Sequence, residues 1–182
     1  MILATNRPDR LDSAVVREGR IDRRIRVNRP DEQDAKEVFR IYLGKVPTCT
    51  DPEAMAEEAS RHLFSDSSRL LQLTTAHGET FPFTLGNIGS GAMIAGIVDR
   101  ATSLVMHGVI ASGARSKEAM RLTFGHVQEA AGQVREAMRL VDHSDDIRSW
   151  AESRATKVVK VVAHSPQLAA AATSESLAGA SS

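Results

Sequence analysis

Two stretches of this sequence hold residue types able to meet a charged ligand. The first runs Ala4-Thr5-Asn6-Arg7-Pro8-Asp9-Arg10-Leu11-Asp12 and is followed by Arg17-Glu18-Gly19-Arg20-Ile21-Asp22-Arg23. An asparagine amide both donates and accepts hydrogen bonds, and a guanidinium stays charged and offers forked donors to oxygen anions. By residue type alone, however, this is a strand end, a proline turn and a charged surface helix. Asparagine before x-Pro-Asp is a common turn, and arginines are usually solvated. The second stretch is Asn87-Ile88-Gly89-Ser90-Gly91-Ala92-Met93-Ile94. Ser90 is an N-cap residue type, and glycine and alanine in the first helical turn let the backbone approach a ligand closely. A capped helix packed tightly on a neighbour explains the same residues equally well.

Other constellations fail. His62, His77, His107, His126, His143 and His164 show no HExxH or other metal-ligand spacing, so no metal site is expected. There is no Gly-x-Ser-x-Gly elbow, and Cys49 has no motif linking it to a base, so it reads as a small apolar residue. No phosphate-binding Gly-x-x-x-x-Gly-Lys-Ser/Thr occurs. Gly44-Lys45 lacks both the upstream glycine and a following Ser or Thr, and no apolar strand ends in Asp-Glu.

The elements that must position these residues are mostly helical. Within residues 1–29, Ile2-Leu3-Ala4 and Ile25-Arg26-Val27 read as two short strands, with one short helix over residues 11–16; alone they make no stable unit. Asp31 caps a helix carrying Ala35, Val38, Phe39 and Tyr42 at helical spacing and ending at Gly44. Asp51-Pro52 opens a second, with Met55, Ala59 and Leu63 on one face. Between Leu70 and Leu85 the period becomes two, predicting a hairpin turning near His77-Gly78. Ser90 caps a third helix, with Ile94, Ile97, Val98, Ala101, Leu104 and Val105 in its stripe, to about Gly108. A fourth is expected over residues 116–141, interrupted by Gly125 and Gly132. Residues 142–164 form a C-terminal extension, and residues 165–182, rich in Ala and Ser, a flexible tail.

Composition narrows the function classes. Of 182 residues, 42% are hydrophobic and 25% charged, ordinary for a globular chain. Lys+Arg and Asp+Glu both total 23, so net charge gives no pull towards nucleic acid or an anionic membrane. Aromatics are only 4%, too sparse for a base-stacking surface, and Arg20, Arg23, Arg24 and Arg26 are interleaved with aliphatics. No secretory signal is present and no segment reads as apolar enough to span a bilayer. The expectation is a cytoplasmic protein with neither nucleic-acid nor membrane partners.

As a string, the first stretch resembles the sensor-1 and arginine-finger regions of AAA+ ATPases of the AAA clade: Ala-Thr-Asn-Arg-Pro-Asp-x-Leu-Asp and Arg-x-Gly-Arg-x-Asp-Arg. The resemblance implies that Asn6 binds the γ-phosphate or orients the attacking water, and that Arg17 and Arg20 are trans-acting fingers reaching the neighbouring subunit's site. Asp22-Arg23 would support the loop and the subunit interface. Ser90-Gly91-Ala92 resembles the family's lid motif, which implies that Gly91 and Ala92 face adenine and ribose, with Val38 and Tyr42 at positions flanking the base. Ser-Gly-Ala-Met-Ile-x-x-x-Val-Asp-Arg-Ala, residues 90–101, and the preceding hairpin are similar to the bacterial proteasome-associated ATPases. The AAA resemblance covers roughly residues 1–140.

The implied fold is mainly α. It is an AAA+ helical lid over residues 30–141 with an inserted β-hairpin near residues 70–86, preceded by a C-terminal remnant, two strands and a short helix, of an α/β P-loop ATPase core. The family is hexameric, uses ATP with Mg2+ and unfolds protein substrates, so other AAA+ subunits and protein clients are the implied partners. This chain ends Ala178-Gly179-Ala180-Ser181-Ser182 rather than in the family's Gln-Tyr-Leu, which speaks against docking a proteasome core by that tail. Without the phosphate-binding loop, the chain by itself is expected neither to hold nor to hydrolyse ATP. Met1-Ile2-Leu3-Ala4 reads as the interior of a strand, so the leading expectation is a piece or mis-started reading of a full unfoldase. The alternatives are a non-enzymatic regulatory subunit of a AAA+ hexamer and a nonfunctional remnant. In isolation Ile2, Leu3, Ile25 and Val27 are expected to be poorly covered, and solubility to be low.

Overall fold

A computed structural model describes residues 25, 27–113 and 116–163. The strands expected at residues 2–4 and 25–27, the helix at 11–16 and the tail therefore fall wholly or partly outside the described residues. Ile25 and Val27 are 78% and 90% exposed.

Helix α1, Glu32–Leu43, opens with a capping box. Asp31 Oδ1 accepts from Asp34 N at 2.8 Å, while Asp34 reaches back to the Asp31 amide; two of the four orphan donors of the first turn are thereby satisfied. Helix α2, Pro52–Phe64, starts with proline in its first turn behind Asp51, as the sequence pattern requires. The two helices pack together through Ala35, Phe39 and Leu43 on one side and Met55, Ala59 and Leu63 on the other. A 3-10 turn at Asp66–Ser68 leads into β1, Arg69–Thr75. β1 pairs antiparallel with β2, Thr80–Thr84, in the predicted hairpin. Pro82 has no N–H to give, and is tolerated because β2 is an edge strand.

A single-turn helix α3, Leu85–Ile88, joins the hairpin to the long helix α4, Gly91–Ser112. Gly86 admits the close approach of α2: a Cβ there would lie 2.6 Å from the Phe64 ring. α4 runs beyond the expected stop at Gly108, which is helical, and ends instead at Gly113, whose φ of 64° suits a left-handed cap. α4 also corrects the reading that no segment could span a bilayer. Its length and mean hydropathy of 1.3 meet that test. One stripe of it, Ile94, Ile97, Val98, Ala101 and Val105, is buried where α1 and α5 pack against it, while Met106 and Ile110 are exposed.

Helix α5, Phe124–Met138, begins eight residues later than expected. Leu122 is held as a parallel bridge to Thr48, with Leu122 N donating to Pro47 O at 2.8 Å and Cys49 N to Leu122 O at 2.9 Å. Those bonds hold the chain ahead of Thr123, which then caps α5 together with His126.

Residues 142–163 hold two elements not anticipated: α6, Ser144–Ser153, and β3, Val158–Ala163. β3 pairs antiparallel with the free edge of β1, giving the order β2-β1-β3. Trp150 on α6 lies 5.7 Å from Phe81 and 6.5 Å from Phe83, ring centre to ring centre. Helices and sheet thus share one hydrophobic core.

Candidate functional site

The start of α4 is built by a relay of short caps. Thr84 N donates to Asn87 Oδ1 at 2.7 Å, closing the single turn of α3, and Gly89 N donates to Gly86 O at 3.1 Å. Gly89 and Ser90 are then extended, and Ser90 Oγ accepts from Met93 N at 3.1 Å. The amides of Gly91 and Ala92 are first-turn donors with no partner inside the helix. Nothing lies within 4 Å of the place a Gly91 Cβ would take, so packing does not demand glycine there and the backbone faces open space. Ala92 is exposed.

Beside this helix end lies an open groove of about 490 Å³. Met93, Val134 and Met138 supply apolar lining from α4 and α5, while Arg29, Arg100 and Asp146 bring charge. Such a surface suits a ligand with an apolar or planar body and anionic or hydrogen-bonding edges.

One polar network crosses the groove. Arg29, in the segment preceding α1, donates through Nη1 to the Ile88 carbonyl and through Nη2 to Asp146 Oδ1. Asp146 Oδ2 lies 3.2 Å from His143 Nδ1, and His143 Nε2 lies 2.8 Å from the Met138 carbonyl. His143 is buried, and its two ring nitrogens face the Asp146 carboxylate and the Met138 carbonyl. A second hollow of about 220 Å³, between α1 and α2, is lined by Lys36, Glu57 and Ser60. Its charge is already paired, Lys36 lying 3.1 Å from Glu53 and 3.5 Å from Glu57.

The residues expected to act together are only partly united. Gly91 and Ala92 stand at the open start of α4, and Ala92 lines the groove. Val38 and Tyr42 lie on α1, half-buried against the core, and do not line it. The Tyr42 ring instead lies 5.0 Å from Lys45 Nζ. Asn6, Arg17 and Arg20 lie outside the described residues. Among the described residues no group of three or more His, Cys, Asp or Glu could hold a metal ion. Sequence reasoning missed Arg29, Arg100, His143 and Asp146. Arg29-Pro30 ahead of the Asp31 cap marks a joint, but nothing local signals its partners at Ile88 and Asp146.

Residues 30–178 match the family model described as ARC, AAA+ ATPase lid domain. The proteasome-associated ATPase of Acidimicrobium ferrooxidans is 37% identical over 131 residues, covering 63% of this chain and 23% of that protein. An AAA ATPase forming ring-shaped complexes from Corynebacterium diphtheriae is 41% identical over 102 residues, 56% of this chain and 20% of the relative. Its namesake in Bifidobacterium animalis subsp. lactis is 35% identical over 156 residues, 82% of this chain and 30% of the relative. The chain therefore spans between 20% and 30% of the length of these relatives.

Proposed function

The chain belongs to the ARC-type AAA+ ATPase lid family, and from that premise we propose that it is the lid-bearing part of a ring-forming, ATP-driven protein unfoldase. The names of the relatives, ring-shaped complexes in two and proteasome association in the third, support that reading. The observation that carries it is the open N-terminus of α4, where the first-turn amides of Gly91 and Ala92 have no partner inside the helix and stand beside a groove lined by Met93, Val134, Met138 and Arg100. A planar base and ribose suit that lining, and backbone N–H groups with guanidinium charge suit ligand oxygens.

In this reading ATP with magnesium is the substrate of the assembled ring. The α4 terminus contacts the nucleoside, Asn6 orients the attacking water, and Arg17 and Arg20 neutralise charge developing on a neighbouring subunit's transferred phosphate. These 182 residues contain no phosphate-binding loop, so the phosphates are held by sequence outside them and this chain alone turns over no ATP. The lid contact rests on Gly91 and Ala92 rather than on Val38 and Tyr42.

The test mixes the purified chain with an intact ring-forming relative and measures ATP turnover. Wild-type chain is expected to alter turnover, and both Arg17→Ala with Arg20→Ala and Ala92→Glu are expected to remove the effect. Identical turnover in every mixture overturns the proposal.

A further inference from the structure

The end of α4 that faces the groove follows a short connection from the hairpin. α3 is one turn long, and Gly89 and Ser90 are extended, so the local caps at Asn87 and Ser90 are joined by two residues outside any helix. The Ile88 carbonyl, two residues before the Ser90 cap, is held by Arg29. The same guanidinium holds Asp146 in the first turn of α6, and Asp146 is in turn held by buried His143, which reaches the last residue of α5. Three stretches far apart in sequence, at Arg29, at Ile88 and from Met138 to Asp146, meet on this one side chain and its partners.

We propose that Arg29 is a positioning residue, a strut by which the segment entering the lid fixes the start of α4 against α6. Its importance for nucleotide rests on reading the α4 terminus as the nucleotide-facing surface. Arg29 is half exposed, so its attraction to Asp146 as a simple ion pair contributes little. What distinguishes it is divergence: one planar group serves a main-chain carbonyl with one nitrogen and a carboxylate with another. Asp146 is itself pinned on its second oxygen. A movement of the segment before α1 therefore shifts Ile88 and Asp146 together. Lysine, a point donor on a flexible stem, can hold one of the two partners but lacks the fork that serves both.

The test is amide hydrogen exchange on the whole 182-residue chain, without nucleotide, for wild type, Arg29→Ala, Arg29→Lys, Asp146→Asn and the Arg29→Ala, Asp146→Asn pair. Arg29→Ala is expected to speed exchange over residues 88–93 and 144–148 by roughly two- to tenfold, the size of one net hydrogen bond. Exchange in α1 and α2 stays unchanged. Arg29→Lys restores protection at 144–148 and leaves 88–93 fast. Asp146→Asn adds less in the paired variant than in wild type, because the two residues share one contact. Unchanged exchange at 88–93, or an equal rise across α1 and α2, overturns the strut.

A second arm adds each variant to the intact relative with ATP as the probe. Arg29→Ala is expected to raise KM for ATP without lowering kcat, and Arg29→Lys to behave likewise. An unchanged KM beside altered exchange overturns the strut's role towards nucleotide. If no form of the chain affects turnover, the nucleotide-facing reading of α4 falls, and exchange alone decides the strut.

Discussion

His62 shows how a single side chain ties this fold to pH. It sits in the last turn of α2, edge-on to Phe124 with ring centres 5.9 Å apart, and Ser67 Oγ lies 3.2 Å from Nδ1. Burial, and then the nearby Arg135 guanidinium, lower its pKa from the ordinary value, with Glu58 opposing them. The folded state therefore binds the proton less readily than the unfolded chain. Above the ordinary value of about 6.5 the ring is neutral in both states, and its contribution is fully present. As pH falls below that value the unfolded chain protonates first and stability drops, levelling once the folded value is passed. Thermal melts between pH 8 and pH 5 should show this loss, and His62→Gln should lose less over the same range. Equal acid sensitivity in the two proteins would contradict the assignment. None of this is legible from sequence, where His62 is one of six histidines without a motif; its environment comes from α5 folding back over α2.

Elements announced themselves where local chemistry decides them. Asp31 with Asp34, Pro52 behind Asp51, Ser90 and the period-two run around Gly78 each fix a boundary by interactions within a few residues, and each appears where expected. The start of α5 differs from expectation because a tertiary bond decides it: Phe124 and Met120 extend the helical spacing backwards, but Leu122 is committed to the loop at Pro47 and Cys49. β3 was missed for the same reason, since Val158-Val159-Lys160-Val161-Val162 has no neighbouring turn partner and pairs with a strand placed far earlier. The candidate site divides in the same way. Ser90, Gly91 and Ala92 could be read from the string, whereas Arg29 and Asp146 gain meaning only when α6 packs. Gly86 gives a test at this scale. Gly86→Ala forces a methyl against the Phe64 ring at 2.6 Å, which should cost about 1–3 kcal/mol of overpacking. Urea unfolding measures it, and adding Phe64→Leu to Gly86→Ala should recover part of the loss; full stability in the single variant would refute the close contact.

At the scale of the whole molecule, the described residues share one core rather than a helical unit with an appendage. Trp150 packs on Phe81 and Phe83, and Val158 joins the same cluster that holds Phe39 and Leu63. Cooperative unfolding follows from that continuity. Because Trp150 is the sole tryptophan, its fluorescence reports on residues 142–163 while far-UV circular dichroism reports chiefly on α1, α2, α4 and α5. The two transitions should coincide in denaturant, and an earlier fluorescence change would show that α6 and β3 let go by themselves.

The strand order β2-β1-β3 also imposes a timetable. β1 lies in the middle of the sheet, yet its second neighbour is the last described strand of the chain. A ribosome finishes the hairpin at Thr84 and must then make α4, α5 and α6 before Val158 emerges. Throughout that interval one side of β1 has unanswered amides and carbonyls, and Phe83 lacks the cover of Trp150. Closing so distant a pair is entropically slow, because the closure entropy of the long intervening chain is lost before the contacts reward it. Pausing of translation between Thr84 and Val158 therefore leaves a half-built sheet open to pairing with other nascent chains, and the speed at which that stretch is read becomes part of how reliably the lid is made.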